Sequence, residues 1–103
     1  MITAFVQFQF PQALNKDQAR TAFLASAPQY RGVPGLLRKY YVLSDDGRCG
    51  GGIYLWQSRE VAERFFTDDW RRVVTERFGA PPSIAYFLCP VVVDNVSNET
   101  LSD

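Results

Sequence analysis

The sequence of 103 residues contains no histidine, few cysteines and no excess of charge of either sign. Imidazole is the usual acid or base near neutral pH and a common metal ligand. Its absence excludes haem ligation by histidine, a histidine-containing zinc site and any Ser-His or Cys-His nucleophile. Proton transfer must therefore use a carboxylate, lysine, tyrosine or cysteine side chain, or a group on the substrate.

The charge balance and the lack of long apolar runs narrow the class of protein further. The 11 basic residues are matched by 11 acidic residues, whereas a nucleic-acid partner would require a basic surplus. No apolar run approaches the length of a membrane span, and no leader precedes the alternating run from Ile2. Cys49 and Cys89 are too few for a disulfide framework and are predicted to be free thiols. We expect a cytoplasmic protein with neither nucleic acid nor membrane as its partner.

Hydrophobic periodicity predicts the element order β-α-β-β-α-β. Asn15 and Gln18 form a capping-box pattern for the first helix, which Pro28 should end. The second helix opens at Ser58, is capped again at Thr67, and stops at Gly79. Strands are predicted over residues 2–10, 36–43, 52–57 and 83–93.

This element order predicts a ferredoxin-like α+β fold. Two interleaved right-handed β-α-β units give a four-stranded antiparallel sheet with both helices on one face. The first and third strands are then central, and Pro90 in the fourth strand suits an edge position. Residues 1–95 are predicted to form a single domain, followed by a polar C-terminal tail over residues 96–103.

The register of the central hairpin decides which side chains face the helices. If a three-residue loop over 45–47 pairs Ser44 with Arg48, Lys39 and Tyr41 lie on the helix-covered face. The opposite face then carries an aromatic patch of Tyr40, Tyr54 and Trp56. Such a patch is rarely left exposed, so we expect a homodimer through this sheet face. A slip of one residue would place Arg38 rather than Lys39 on the pocket face.

Lys39 is the main candidate for a chemical role. In the expected register its ammonium lies among apolar neighbours, and a buried lysine requires a partner or a function. The alternative is a stem that lies over the core while the charged head reaches solvent. Trp70 could line a cavity with Tyr41 and Phe23, although aromatic residues at helical spacing are more often plain core.

Two further patterns favour ordinary structural interpretations. The glycines at 50–52 precede a strand and lack the Lys-Ser/Thr of a phosphate-binding loop. They therefore indicate close approach of backbones or a bulge. Asp45 and Asp46 are predicted to lie at a hairpin tip, far from any pocket.

Three segments carry a resemblance to a known family: Pro34-Gly35-Leu36-Leu37-Arg38-Lys39-Tyr40-Tyr41, Gly51-Gly52-Ile53-Tyr54-Leu55-Trp56 and Pro90-Val91-Val92-Val93-Asp94-Asn95. They resemble the YdhR-like family of proposed monooxygenases in the dimeric α/β-barrel superfamily, over nearly the whole chain to about Asn95. The resemblance implies a homodimer with its sheets packed face to face, and a pocket between helices and sheet in each subunit. Quinone-forming oxygenases of this superfamily use no metal, flavin or haem, because an electron-rich phenolic substrate itself passes electrons to dioxygen.

On this resemblance Lys39 would be the catalytic residue, stabilising a phenolate or oxyanion by its charge. Tyr41 and Trp70, with Phe23, would shape an aromatic substrate pocket, and Arg38 would be a weaker substrate-binding candidate. The leading hypothesis is a cofactor-free monooxygenase, or a related enzyme, acting on a small aromatic or polyketide-like molecule. A non-catalytic dimeric module that binds a small hydrophobic ligand is the alternative. A dimer that serves assembly alone, without a usable cavity, is a third possibility.

Overall fold

The computed structural model describes residues 1–103. Six strands, three α-helices and one 3₁₀ turn follow in the order β1 (Ile2–Gln9), α1 (Lys16–Ser26), the 3₁₀ turn (Ala27–Tyr30), β2 (Leu36–Leu43), β3 (Cys49–Trp56), α2 (Arg59–Phe65), α3 (Asp68–Phe78), β4 (Ser83–Leu88), β5 (Val91–Asp94) and β6 (Glu99–Ser102). No helix is long and apolar enough to cross a membrane.

The first helix begins at the predicted capping box. The Asn15 side chain accepts the Gln18 amide at 2.8 Å, and the Gln18 side chain accepts the Asn15 amide at 2.9 Å. These bonds satisfy amides that a helix N-terminus otherwise leaves free. The regular helix stops at Ser26, and the chain continues as a 3₁₀ turn that contains Pro28 and ends at Tyr30.

The second helical region is divided where the sequence predicts a new cap. Ser58 accepts the Val61 amide at the start of α2, and Thr67 accepts the Trp70 amide at the start of α3. Helix α3 ends at Gly79, whose φ of 77° is the left-handed conformation that glycine adopts without strain. The break turns α3 so that Trp70 and Val74 reach the same core as α2.

Strands β1 to β4 form one antiparallel sheet in the order β2-β3-β1-β4. The ferredoxin-like fold, with its helices on one face of the sheet, is therefore confirmed, and β1 and β3 are central as predicted. The core lies between the sheet and the helices. Its buried members are Ala4, Val6, Phe8, Tyr54, Trp56, Ala62, Phe66 and Val74.

The predicted hairpin register is wrong by one residue. The Ser44 amide donates to the Cys49 carbonyl at 2.8 Å, so the loop holds four residues rather than three. The wider loop is stabilised by Asp46, whose carboxylate accepts the Ser44 hydroxyl at 2.7 Å and the Arg48 amide at 3.0 Å. Lys39 consequently pairs with Tyr54 and Tyr41 with Gly52.

The corrected register moves two aromatic residues from the predicted dimer face into the core. Tyr54 and Trp56 are only 2% and 0% exposed and pack against the helices. Lys39 and Tyr41 remain on the helix-covered face. The expectation that a one-residue slip would bring Arg38 there in place of Lys39 is wrong, because the slip reverses the faces of β3 and leaves those of β2 unchanged. Only Tyr40 of the three predicted dimer-face residues lies on the open face, where it is 55% exposed.

The glycines of β3 leave room for neighbouring groups, as the sequence indicates. A Cβ on Gly52 would lie 2.7 Å from the Tyr54 ring and 2.9 Å from Cε of Lys39. A Cβ on Gly50 would lie 2.5 Å from the Val42 carbonyl oxygen. The missing side chain at Gly52 is what allows Lys39 and Tyr54 to share the space above the sheet.

The fourth strand is shorter than predicted. Strand β4 ends at Leu88, since Pro90 has no amide to continue the ladder. The chain then forms a separate hairpin in which β5 pairs with β6, so part of the predicted polar tail is a strand. An ion pair between Arg38 and Asp94 fastens this hairpin to β2.

Candidate functional site

The Lys39 ammonium lies against three tyrosine rings. Its Nζ is 3.2 Å from the ring centre of Tyr30, 3.8 Å from that of Tyr41 and 4.6 Å from that of Tyr54. The three rings come from the 3₁₀ turn, β2 and β3, so the arrangement exists only in the folded chain. Lys39 takes part in none of the ion pairs of the protein. We call Lys39 and these three tyrosines the tyrosine cage.

The cage shifts the proton affinities of its members. Removal from water lowers the pKa of Lys39 to about 6, and the positive charge of Arg77 acts in the same direction. The tyrosine ring faces attract a cation and oppose this shift. Burial also raises the pKa of the Tyr54 hydroxyl far above its usual range and that of Tyr41 more moderately. The phenols of Tyr54 and Tyr41 therefore stay neutral while Lys39 can exchange a proton near neutral pH.

Hydrogen bonds hold two of the cage rings in place. The Tyr41 hydroxyl bonds to Oγ of Ser26 at 2.7 Å, and the Ser26 hydroxyl donates to the Phe23 carbonyl at 3.0 Å. On the other side, the Trp70 indole nitrogen donates to the Tyr30 hydroxyl at 3.2 Å. The rings are thus anchored to α1 and α3 at positions that keep their faces towards Nζ.

The enclosed space beside Nζ is small. Its volume is about 10 Å³, which is at most room for one water molecule. The lining includes Phe8, Phe23, Ser26, Tyr30, Lys39, Tyr41, Tyr54, Trp70, Val74, Arg77 and Phe78. The pocket that the sequence suggests beside Lys39 is therefore nearly closed, and an aromatic ligand needs one of its walls to move.

A much larger space lies directly next to the cage. An open groove of about 700 Å³ runs between α1 and the β2–β3 hairpin. We call it the α1 groove; its lining is Leu14, Asn15, Lys16, Ala19, Arg20, Phe23, Leu24, Ala27, Tyr41, Leu43, Ser44 and Asp45. Phe23 and Tyr41 line both spaces, and their rings are stacked with centroids 4.9 Å apart. This stacked pair is the wall between the groove and the cage.

The structure brings together four of the five candidate residues. Lys39, Tyr41, Trp70 and Phe23 all line the enclosed space. Arg38 does not, because it projects from the opposite face of β2 and pairs with Asp94. The expectation that Asp45 lies far from any pocket is wrong, since the hairpin loop forms one end of the α1 groove.

Sequence reasoning missed Tyr30, Tyr54 and Arg77. Tyr30 lies in a 3₁₀ turn, which has no periodicity to mark an inward position. Tyr54 was assigned to the wrong face by the register slip. Arg77 is in the last turn of α3, where a basic side chain is normally explained by the helix dipole. No pattern in the sequence set Arg77 apart from the other arginines.

No three acidic, thiol or imidazole side chains come together in an arrangement that could hold a metal ion. The groups that converge at the site are instead an amine, a guanidinium, phenols and one serine hydroxyl. Together they can exchange a proton at Lys39, donate hydrogen bonds and attract negative charge.

Several solved structures share this fold at low sequence identity. A monooxygenase from the ActVA-Orf6 gene of Streptomyces coelicolor, solved with the ligand nanaomycin D, superposes with a TM-score of 0.67 and 20% identity, covering 85% of this chain and 86% of the other. SnoaB, a cofactor-independent oxygenase from Streptomyces nogalater, has a TM-score of 0.62 and 15% identity over 85% and 91% of the two chains. A protein from Deinococcus radiodurans, described as a proposed antibiotic-biosynthesis monooxygenase, has a TM-score of 0.64 and 9% identity, covering 91% of this chain and 97% of the other. At these identities the likeness establishes the fold.

No curated protein matches the sequence significantly. A family model does match, over residues 5–82, and its description is "Putative mono-oxygenase ydhR". The matched region runs from β1 to the segment before β4 and so contains the tyrosine cage and the α1 groove. The chain belongs to the YdhR family of proposed mono-oxygenases.

Proposed function

We propose that this protein is a cofactor-independent monooxygenase acting on a small phenolic or polyketide-like aromatic molecule. The observation that carries the proposal is the position of Lys39, an unpaired lysine that is separated from an open apolar groove only by the stacked Phe23–Tyr41 pair. Membership of the YdhR family and the oxygenases among the structures of the same fold support the reaction class.

Lys39 supplies the proton chemistry of the proposed reaction. With its pKa lowered to about 6, its amine accepts the proton of a phenol or of an anthrone-type carbon acid near neutral pH. The ammonium then stabilises the resulting anion in a site with little water. The electron-rich anion passes an electron to dioxygen, and the two radicals combine. For an anthrone-type methylene, one oxygen atom becomes the new carbonyl, two hydrogens are lost, and the second oxygen leaves as water.

Access to Lys39 requires the stacked wall to open. The enclosed space of about 10 Å³ cannot hold an aromatic ring, whereas the α1 groove of about 700 Å³ can. Tyr41 is held by the single Ser26 hydrogen bond at its hydroxyl. In the proposed mechanism, a substrate ring in the groove displaces the Tyr41 ring and stacks on Phe23, which brings its acidic oxygen to Nζ.

We further propose that the protein works as a homodimer through the open face of the sheet. Phe5, Ile53 and Tyr40 are cross-strand neighbours on that face, and Phe87 lies beyond them on β4. Tyr40 and Phe87 are 55% and 57% exposed. A second copy would cover this apolar surface, and the neutral net charge does not oppose self-association.

The alternative function is non-catalytic binding of a small hydrophobic ligand. It is favoured by the α1 groove, which is accessible without any movement at Lys39. In that case ligand affinity would depend on the groove side chains, and substitution of Lys39 would leave it unchanged.

Dioxygen consumption separates the two functions. Wild-type protein, Lys39→Met and the control Arg64→Met are compared with anthrones, naphthols and hydroquinones in chelator-treated buffer, with uncatalysed oxidation subtracted. Arg64 is an exposed residue of α2 that pairs with Glu60, away from the site. We expect wild-type uptake that falls roughly 100-fold in kcat for Lys39→Met and is unchanged for Arg64→Met. Undiminished kcat in Lys39→Met would refute the role of Lys39. Absence of uptake, with stoichiometric binding of one compound, would establish the binding module.

A further inference from the structure

The enclosed space beside the tyrosine cage is lined by two cations and no acid. Lys39 reaches it from β2 and Arg77 from the last turn of α3. The other titratable groups that face Lys39 are Tyr30 from the 3₁₀ turn, Tyr41 from β2 and Tyr54 from β3. Helix α1 contributes Phe23 and Ser26, neither of which is charged. No carboxylate faces the pair from any of these elements.

Neither Lys39 nor Arg77 takes part in an ion pair, as is also true of Arg71 on the same helix as Arg77. Arg59, Arg64 and Arg72 each pair with a carboxylate on their own helix. The ring faces of the tyrosines attract the ammonium but cannot accept its N–H groups as an oxygen anion would. Lys39 is mostly buried, so its protonated form loses hydration and is repelled by the nearby charge of Arg77, which itself is exposed to solvent. An anion bound between Lys39 and Arg77 would offset both costs to the protonated lysine.

We propose that Lys39 and Arg77 together bind the acidic oxygen of an aromatic ligand as its anion, with the ligand ring held at the Phe23–Tyr41 wall and in the α1 groove. This names the ligand class of the site as aromatic acids, either carboxylates or phenols, and gives Arg77 a binding role. It rests on the proposed function only for the location of the ligand, since binding an anion requires no dioxygen.

A carboxylate ligand and a phenol ligand differ in the number of protons that the complex takes up from solvent on binding. In the free protein Lys39 is largely neutral slightly above neutral pH, because its pKa is lowered to about 6. A bound anion raises that pKa, so a carboxylate that arrives already ionised draws one proton from solvent onto Lys39. A phenol brings its own proton and transfers it to the amine, so its binding takes up none. Proton uptake therefore reports the charged Lys39 in the complex.

Titration calorimetry under anaerobic conditions tests the proposal on the full chain. The ligands are 2-naphthoate, 2-naphthol and naphthalene, each measured slightly above neutral pH in two buffers of different ionisation enthalpy. We expect both acids to bind at least about tenfold more tightly than naphthalene, with uptake approaching one proton for naphthoate and none for naphthol. Naphthalene binding as tightly as naphthoate, or naphthoate binding without proton uptake, would overturn the proposal.

Variants assign the effect to the two cations. Lys39→Met and Arg77→Met should each weaken naphthoate at least about tenfold while leaving naphthalene unchanged, and Arg77→Lys should restore part of the affinity. Arg72→Met, which removes an exposed arginine of the same helix that is paired with Asp69, is the matched control. Unchanged naphthoate affinity in both Lys39→Met and Arg77→Met would refute the site, since naphthalene binding reports whether each variant is folded.

The outcomes remain separate from those of the proposed function. Naphthoate binding with proton uptake in a protein that consumes no dioxygen with any phenol would establish the anion site and refute the oxygenase. Dioxygen consumption by a protein that binds naphthalene as tightly as naphthoate and naphthol would refute the anion site alone.

Discussion

The Nζ atom of Lys39 lies 3.2 Å from the centre of the Tyr30 ring. Lys39 belongs to the edge strand β2, whereas Tyr30 ends the 3₁₀ turn that follows α1. The contact therefore joins the sheet to the helical layer through a charge rather than through apolar packing. A desolvated cation over an aromatic ring is stabilised by about 2 kcal/mol or more, which offsets part of the cost of removing the protonated amine from water.

The stability of the protein should depend on pH through Lys39. Its pKa is lowered from the ordinary 10.5 to about 6 in the folded state, so between these values the unfolded chain binds more protons. The free energy of unfolding should then rise as pH increases from 6 towards 10.5, by at most about 1.4 kcal/mol per pH unit. Urea unfolding at a series of pH values measures the slope.

Lys39→Met should remove this slope, because methionine has nothing to protonate. Lys16→Met is the matched control: Lys16 is exposed, and its loss should leave the slope as in the wild type. Equal slopes in wild type and Lys39→Met would show that Lys39 keeps its ordinary pKa in the fold.

Tyr30 should stabilise the protein in two separable ways. Tyr30→Phe loses the hydroxyl that accepts the Trp70 indole N–H but keeps the ring, and should cost about 0.5–1.5 kcal/mol of unfolding free energy. Tyr30→Leu also loses the ring face and should cost about 2–4 kcal/mol. In a Lys39→Met background the difference between the two variants should shrink. A difference that persists undiminished would mean that the ring acts only through apolar packing.

Asp94 should control the attachment of the C-terminal hairpin. Its carboxylate accepts the Ser97 amide, pairs with Arg38 and accepts the Val96 amide, and these contacts lower its pKa to about 2. Asp94→Asn should therefore speed hydrogen exchange of the β5 and β6 amides several-fold while the four-stranded sheet stays protected. Glu99→Gln, the same chemical change at the position paired with Asp94, is the control. Equal exchange in both variants would show that the ion pair does not hold the hairpin.

Tyr40 should be required for self-association. It lies on the edge strand β2 and continues the open apolar face formed with Ile53 and Phe5, so a glutamate there would bury a charge in a dimer. Sedimentation velocity should give a dimer for the wild type and a monomer for Tyr40→Glu. Val73→Glu changes an exposed apolar residue on α3 and should remain dimeric. A monomeric wild type at high concentration would refute the dimer.

Local sequence determined the elements of this fold because the signals act over a few residues. Asn15 with Gln18, Ser58, Thr67 and Gly79 mark helix ends through hydrogen bonds and a backbone conformation that involve only their own turn. The order of those elements then leaves one topology, since two right-handed β-α-β units interleave in one way. Lys39 was identifiable as a site candidate because an ammonium in an apolar alternation is costly wherever the strand lies.

Only the tertiary structure decided which groups surround that lysine. The hairpin loop is longer than predicted by one residue because Asp46 bonds to Ser44 and Arg48. Side chains in a strand alternate between the two faces of the sheet, so this single-residue change places Tyr54 and Trp56 on the helix-covered face. Pro90 ended β4 early, so the predicted fourth strand is divided into β4 and β5, and β5 pairs with β6 from the predicted polar tail. Tyr30 contacts Lys39 from the irregular turn just before β2, and Arg77 approaches it from α3, which is distant in the chain. No local preference of either residue encodes a contact that tertiary packing creates.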